Sequence, residues 1–256
     1  MKIYALTCGW IKSALGNFLE GERGAIRVPV PCFLVDHPKG KVLFDTGMHV
    51  ETQHDPHGRL GFIADHYTVE FQPGEEVGAR LKAVGTDPAE IRWLVQSHLH
   101  FDHCGGNAQI PNATVVIQRR EWEAGRDPDM RQRMTYDPRD FDLGHDVRVV
   151  DGEFDLFGDG RVVCVPTYGH TPGHQSLLLR SDAGNLVMTA DACYLRRTLE
   201  QFHLPPMAFD PEEMRASLRR LAALGRAGAR VVFGHDPDDW ATVPQAPRPL
   251  LAVNRD

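Results

Sequence analysis

His98-Leu99-His100-Phe101-Asp102-His103 sets three imidazoles and a carboxylate into six positions, directly after the apolar run Ile91-Arg92-Trp93-Leu94-Val95. Side chains this hard to bury crowd together most simply where they ligate metal. Where a strand gives way to a loop, a period of two points His98 and His100 to one side, where they can share one ion. Asp102 and His103 are adjacent and cannot both join that pair on an extended chain. The backbone is therefore expected to turn and present them to a second ion. Gly105-Gly106 supports the turn, because glycine permits close backbone approach just after the ligands. The expectation is a dinuclear site.

Such a site needs further ligands, and three stand in compact contexts. His170 lies in Thr167-Tyr168-Gly169-His170-Thr171-Pro172-Gly173-His174, after the strand-like Arg161-Val162-Val163-Cys164-Val165. Asp191 ends the apolar run Leu186-Val187-Met188-Thr189-Ala190, and His235 ends Ala229-Arg230-Val231-Val232-Phe233-Gly234. Four separate strands would each deliver a ligand at the carboxyl end, the usual place for active-site residues in layered α/β folds.

With these positions in hand, the pattern resembles the metallo-β-lactamase superfamily, whose hydrolases carry His-x-His-x-Asp-His followed by His, Asp and His. The resemblance spans essentially the whole chain. It implies that one ion takes His98, His100 and His170 and the other takes Asp102, His103 and His235, with Asp191 bridging. It also implies a four-layer αββα sandwich, and that Asp45, in Asp45-Thr46-Gly47, orients a ligand histidine rather than binding metal. From the residues alone Asp45 reads as a turn residue.

The coarse element reading is compatible. Lys2 to Cys8, Arg27 to His37 and Lys41 to Asp45 read as strands, the last two joined by a Pro38-Lys39-Gly40 turn. Glu75 to Val84 and Pro211 to Leu224 have helical spacing with charged outer faces, and Asp210-Pro211-Glu212-Glu213 is a capped helix start. The 256 residues, 42% of them hydrophobic, suit a single domain over 1–256. Neither a signal-like segment nor a long apolar run is present, so a cytoplasmic protein without membrane partners is expected. Five cysteines without paired spacing point to reduced thiols, with Cys104 and Cys193 as small buried fillers. A net charge of −7 argues against a nucleic-acid partner.

All-nitrogen-and-oxygen ligation suits two Zn²⁺ ions per chain and also admits Mn²⁺, Fe²⁺ or Co²⁺. Two ions about 3.5–4 Å apart would activate a bridging water and polarise the bond it attacks, so the reaction class is hydrolysis. The bond itself must be read elsewhere, and Tyr194 is the clue. Asp191-Ala192-Cys193-Tyr194 could set a phenol beside the ions, where it would donate to a developing oxyanion. With Ser97, Gly105-Gly106-Asn107 and Gly234-His235-Asp236, this arrangement resembles the N-acyl-homoserine lactone lactonases. That resemblance implies a lactone substrate, with Tyr194 binding its carbonyl and Asp102 protonating the leaving alkoxide. An apolar groove for the acyl chain would draw on Phe18-Leu19, Phe62-Ile63, Phe101 and Phe202.

Rival readings differ in what they require. Another small lactone, such as 4-pyridoxolactone, would use the same site. Glyoxalase II-like thioesterases share the seven ligands but generally carry a helical extension, and only a short tail follows His235. Asp191 counts against the β-lactamases proper. Flavodiiron-type relatives usually carry a glutamate among the ligands and a flavin domain, and structural zinc sites are typically closed and cysteine-rich. His174 is expected behind the ligands. His54-Asp55-Pro56-His57 reads as a solvated or lid loop. His37, His49, His66, His145 and His203 have no interpretable spacing. Oligomeric state is left between monomer and homodimer.

Overall fold

In the computed structural model, which describes residues 1–252, β1 (Lys2–Ala14), β2 (Ala25–His37), β3 (Gly40–Phe44), β4 (Thr68–Glu70), β5 (Ile91–Val95), β6 (Thr114–Gln118) and β7 (Val147–Val150) form one sheet. β8 (Phe154–Asp155), β9 (Val162–Pro166), β10 (Gln175–Ser181), β11 (Gly184–Met188) and β12 (Ala229–Val232) form the second. β13 (Leu251–Ala252) returns to pair with β1. The last four positions of the expected 1–256 unit lie outside the described residues.

Alternation along the strands builds the layers. Phe33 and Val35 of β2 share a core with Leu177 and Leu179 of β10 and Leu186 and Met188 of β11, which places that core between the sheets. Their neighbours Cys32 and Leu34 face the other way, into a core that includes Leu81 of the helix Val77–Ala83. On the second sheet, Leu178 and Val187 face Met214, Leu218 and Leu221 of the helix Pro211–Arg226. Both faces of both sheets are thus covered, which is why these strands are apolar on both sides. The result is the four-layer αββα sandwich. No helix among the described residues is long and apolar enough to cross a membrane.

Most expected elements lie within a few residues of their observed bounds, and one differs substantially. The first strand runs on from Cys8 to Ala14 through a register shift between Thr7 and Trp10, where Gly9 adopts φ 95°. Such a bulge re-phases the strand without ending it. The extension matters because Ile11 then reaches the wall of the cavity that Tyr194 and His235 also line.

A buried glutamate ties three of the site's segments together. Glu121, in the helix Arg119–Arg126, is fully buried. Its Oε1 accepts from the Leu99 N–H at 3.1 Å and the Tyr136 hydroxyl at 2.5 Å, and its Oε2 from the Thr171 hydroxyl and Gly173 N–H, both at 2.8 Å. Burial pushes this carboxyl up, against the pull of its four donors. Gly173 is needed for the approach, since a Cβ there would strike the Glu121 backbone. Nothing in the sequence pattern marks Glu121, because its partners are distant in the chain. In Glu121→Gln, one amide N–H₂ must face a pair of donors. Chemical denaturation should read a loss of about 2–3 kcal/mol, from the penalty of buried unpaired polar groups.

Candidate metal centre

All seven sequence-predicted positions converge at one end of the sheets. β5 stops at Val95, and the motif follows as loop up to His100, then as a single helical turn, Phe101–Cys104. That turn is the change of direction expected from the adjacency of Asp102 and His103. A Cβ on Gly106 would collide with the Thr46 carbonyl, which accounts for the second glycine. His170 sits in the loop between β9 and β10, Asp191 in a short turn after β11, and His235 just past β12.

The side chains fall into two groups. His98, His100, His170 and Asp191 form one, and Asp102, His103 and His235 the other. His100 Nδ1 lies 3.0 Å from His98 Nε2 and 3.1 Å from His170 Nε2. Asp191 stands between the groups and divides its oxygens. Oδ2 faces His170 Nε2 at 3.3 Å and His98 Nε2 at 3.6 Å, while Oδ1 faces His103 and His235 Nε2, each at 3.1 Å. Asp102 Oδ2 completes the second group, 3.7 Å from His103 Nε2 and 3.6 Å from His235 Nε2.

The electrostatics fit cations here. Burial drives His98 and His170 well below the usual imidazole value, so both are neutral bases. Burial also pulls on His103 and His235, but Asp191 overrides it and holds both above that value. Burial alone would raise Asp191; His103 and His235 reverse this and hold it well below the carboxylate range. The fit shows most clearly in two atoms. His103 Nε2 and Asp191 Oδ1 are buried and have no hydrogen-bond partner among the described residues. Leaving such atoms unpaired is costly, and a cation accepting their lone pairs removes the cost. The donor set, all imidazole and carboxylate, is chemically right for a divalent ion.

Four of the five ligand imidazoles are fixed from behind. His235 Nδ1 lies 2.8 Å from the Pro29 carbonyl and His100 Nε2 3.1 Å from the Met134 carbonyl. A carbonyl only accepts, so these nitrogens carry the proton and the inward ones keep their lone pairs. His103 Nδ1 meets Asp45 Oδ2 at 2.8 Å, and His98 Nδ1 meets the Ser97 hydroxyl at 2.9 Å. Asp45 also accepts from the Ser97 hydroxyl at 2.7 Å and the Ser97 N–H at 2.8 Å.

His174 stands behind Asp191. The Asp191 N–H donates to His174 Nε2 at 3.1 Å, so Nδ1 bears the hydrogen and donates to the Thr167 hydroxyl at 2.9 Å. Burial pushes His174 down to about 3, which keeps it neutral for this task. Backbone strain also gathers here. Asp45 and Ala190, next to Asp191, hold positive φ of 59° and 44°.

Tyr194 is buried, its hydroxyl 3.3 Å from His170 Nδ1. It lines a cavity of about 450 Å³ that opens over the cluster. Of the expected groove residues, Phe18, Phe62, Ile63 and Phe101 line this cavity, whereas Leu19 and Phe202 do not. Leu19 is fully buried in the core, and Phe202 is turned outward at a helix end. The sequence reading did not single out Tyr67, Arg133 and Phe209 on the same walls. His54 and His57 are exposed and belong to neither group, but the segment is not the expected loop: His57 lies in a short helix, Pro56–Leu60, capped by the Asp55 side chain.

Asp45→Asn offers a direct check of the second group. An amide N–H₂ at Oδ2 would donate to His103 Nδ1 and move the ring proton to Nε2, blocking the inward lone pair. Asparagine tolerates the positive φ, so the variant should fold yet hold its metal about 10–100-fold more weakly, read by chelator competition.

Comparison with known proteins agrees with the geometry. The sequence profile of the Metallo-beta-lactamase superfamily matches residues 25–235. N-acyl homoserine lactonase AttM of Azorhizobium caulinodans is 38% identical over 259 residues, covering 96% of this chain and 97% of that one. AiiA of Bacillus thuringiensis subsp. kurstaki, also an N-acyl homoserine lactonase, is 30% identical over 218 residues, covering 82% of each chain. An N-acyl homoserine lactone hydrolase solved with N-hexanoyl-L-homoserine at its catalytic metal centre superposes with a TM-score of 0.86 at 27% identity, covering 97% of this chain and 98% of that one. The chain belongs to the metallo-β-lactamase superfamily.

Proposed function

We propose that this chain is a single-unit, metal-dependent hydrolase that opens the lactone ring of N-acyl-homoserine lactones. The observation that carries this reading is a buried phenol, Tyr194, beside the divided Asp191 cluster on the floor of a largely apolar cavity. The resemblance to lactonases over nearly the whole chain supports it.

In this reading His98, His100 and His170 hold one ion and Asp102, His103 and His235 the other, with one Asp191 oxygen turned to each. Two divalent ions, zinc on our reading of the ligand set, supply an activated water and Lewis acidity. The protein's own groups do the rest. With its Nε2 lone pair committed inward, His170 donates its Nδ1 hydrogen to the Tyr194 oxygen, leaving the phenolic hydrogen free for a substrate carbonyl. Burial, and after it the Asp191 charge, raises Tyr194 well above the usual phenol value, so it remains a donor throughout. This donor gains strength as the carbonyl oxygen takes up negative charge. Asp102, on the same cavity wall, would take the proton released by the attacking water and pass it to the departing ring oxygen. Ile11, Phe62, Ile63, Phe101 and Met207 offer apolar surface to the acyl chain.

The five cysteines are free and buried, which supports a reducing compartment, and we place the protein in the cytoplasm. Proton release by zinc-loaded protein tests the function against its rivals. Chelator-sensitive opening of acyl-homoserine lactones is expected, and preference for 4-pyridoxolactone or a glutathione thioester would overturn the assignment. Tyr194→Phe should retain both ions by elemental analysis and lose about 10- to 100-fold in kcat. Undiminished kcat would remove the phenol from the mechanism.

A further inference from the structure

A second phenol faces the same cavity and has no task in the mechanism above. Tyr67 follows a short helical turn, Gly61–Asp65, and its backbone is held on three sides. The Tyr67 N–H donates to the Ile63 carbonyl at 3.2 Å, the preceding His66 carbonyl accepts from the Ser13 hydroxyl at 2.9 Å, and the following Thr68 pairs with Lys12 in the sheet. Its ring packs near that of Phe101, with centroids 6.1 Å apart. Its hydroxyl makes no hydrogen bond to any described residue. A rigidly placed donor left idle on a cavity wall is the arrangement expected of a preorganised ligand contact.

The surroundings narrow the ligand group. Burial, with the charges of Asp102 and Asp191, pushes Tyr67 up to about 12, so the hydroxyl stays protonated and can donate at any working pH. Tyr67 is near enough to Asp102 to feel its charge and packs near Phe101, and it shares the cavity lining with the apolar Phe62 and Ile63. The substrate of the proposed function carries three acceptors: the ring carbonyl, the ring oxygen and the side-chain amide carbonyl. Tyr194 serves the first and Asp102 the second. The amide carbonyl remains, and it lies at the junction between the polar ring and the apolar acyl chain.

We infer that the Tyr67 hydroxyl donates a hydrogen bond to the amide carbonyl of the acyl-homoserine substrate and so selects amide-bearing lactones over simple alkyl lactones. The inference rests on the lactonase reading. Its test is binding rather than turnover. Zinc-loaded protein is titrated calorimetrically with N-hexanoyl-homoserine, which keeps the amide, and with 4-hydroxydecanoate, a ring-opened lactone without one.

Tyr67→Phe keeps the ring against Phe101, so a purely packing role would leave the two affinities in their original ratio. The expected result is a fall of about 5- to 10-fold in the preference for N-hexanoyl-homoserine, the size of one lost neutral hydrogen bond. An unchanged ratio overturns the inference while leaving the lactonase reading intact. Failure of the unsubstituted protein to bind either compound would overturn that reading, and the inference with it.

Discussion

The structure is organised around one carboxylate that lies out of water between two clusters of imidazoles. Asp191 turns one oxygen to His98 and His170 and the other to His103 and His235. Burying a charge this deeply is expensive unless every lone pair is engaged. The surrounding fold can be read as the means of meeting that demand. Four strands of two sheets end around Asp191, its backbone N–H is held by His174, and the adjacent Ala190 carries a strained φ of 44°. Such strain persists only where packing over-determines it, and here the core between the sheets does so.

Behind the imidazoles, control passes to residues that belong to neither metal-binding group. Carbonyls at Pro29 and Met134 fix two tautomers outright, and Asp45 with Ser97 governs two more rings. Glu121 performs the same service for the backbone, holding the Leu99 segment against the Thr171–Gly173 loop. The two levels are complementary: a ring with the right proton but the wrong position could not share an ion, and the reverse is equally true. This explains why so many buried polar groups gather in one region of a fold whose cores are otherwise apolar.

Much of this was legible in the sequence. The seven clustered side chains stand in runs where a ligand type follows an apolar strand, and local spacing suffices to find them. His174 was readable as a residue behind the ligands, although its partner, the Asp191 backbone, was not. Glu121 and Tyr67 were illegible for a physical reason. One sits in a surface-type helix and the other in a loop, and their significance comes from partners far along the chain. The groove was half readable. Phe62 and Phe101 do face the cavity, but Leu19 turns into the core beside Phe18, because adjacent residues in a tight turn point different ways. Hydrophobicity marks what can line a wall; only the fold decides which side of it faces the substrate.

The central claim is that Asp191 joins two metal positions rather than one. Titrating metal-free protein with Co²⁺ and following its ligand-field absorbance tests this most directly, because stoichiometry and coordination number are read together. The account predicts saturation at two equivalents per chain, with intensities of nitrogen- and oxygen-ligated sites of low coordination number. Saturation at a single equivalent, or a spectrum of hexa-aquo type, would contradict it.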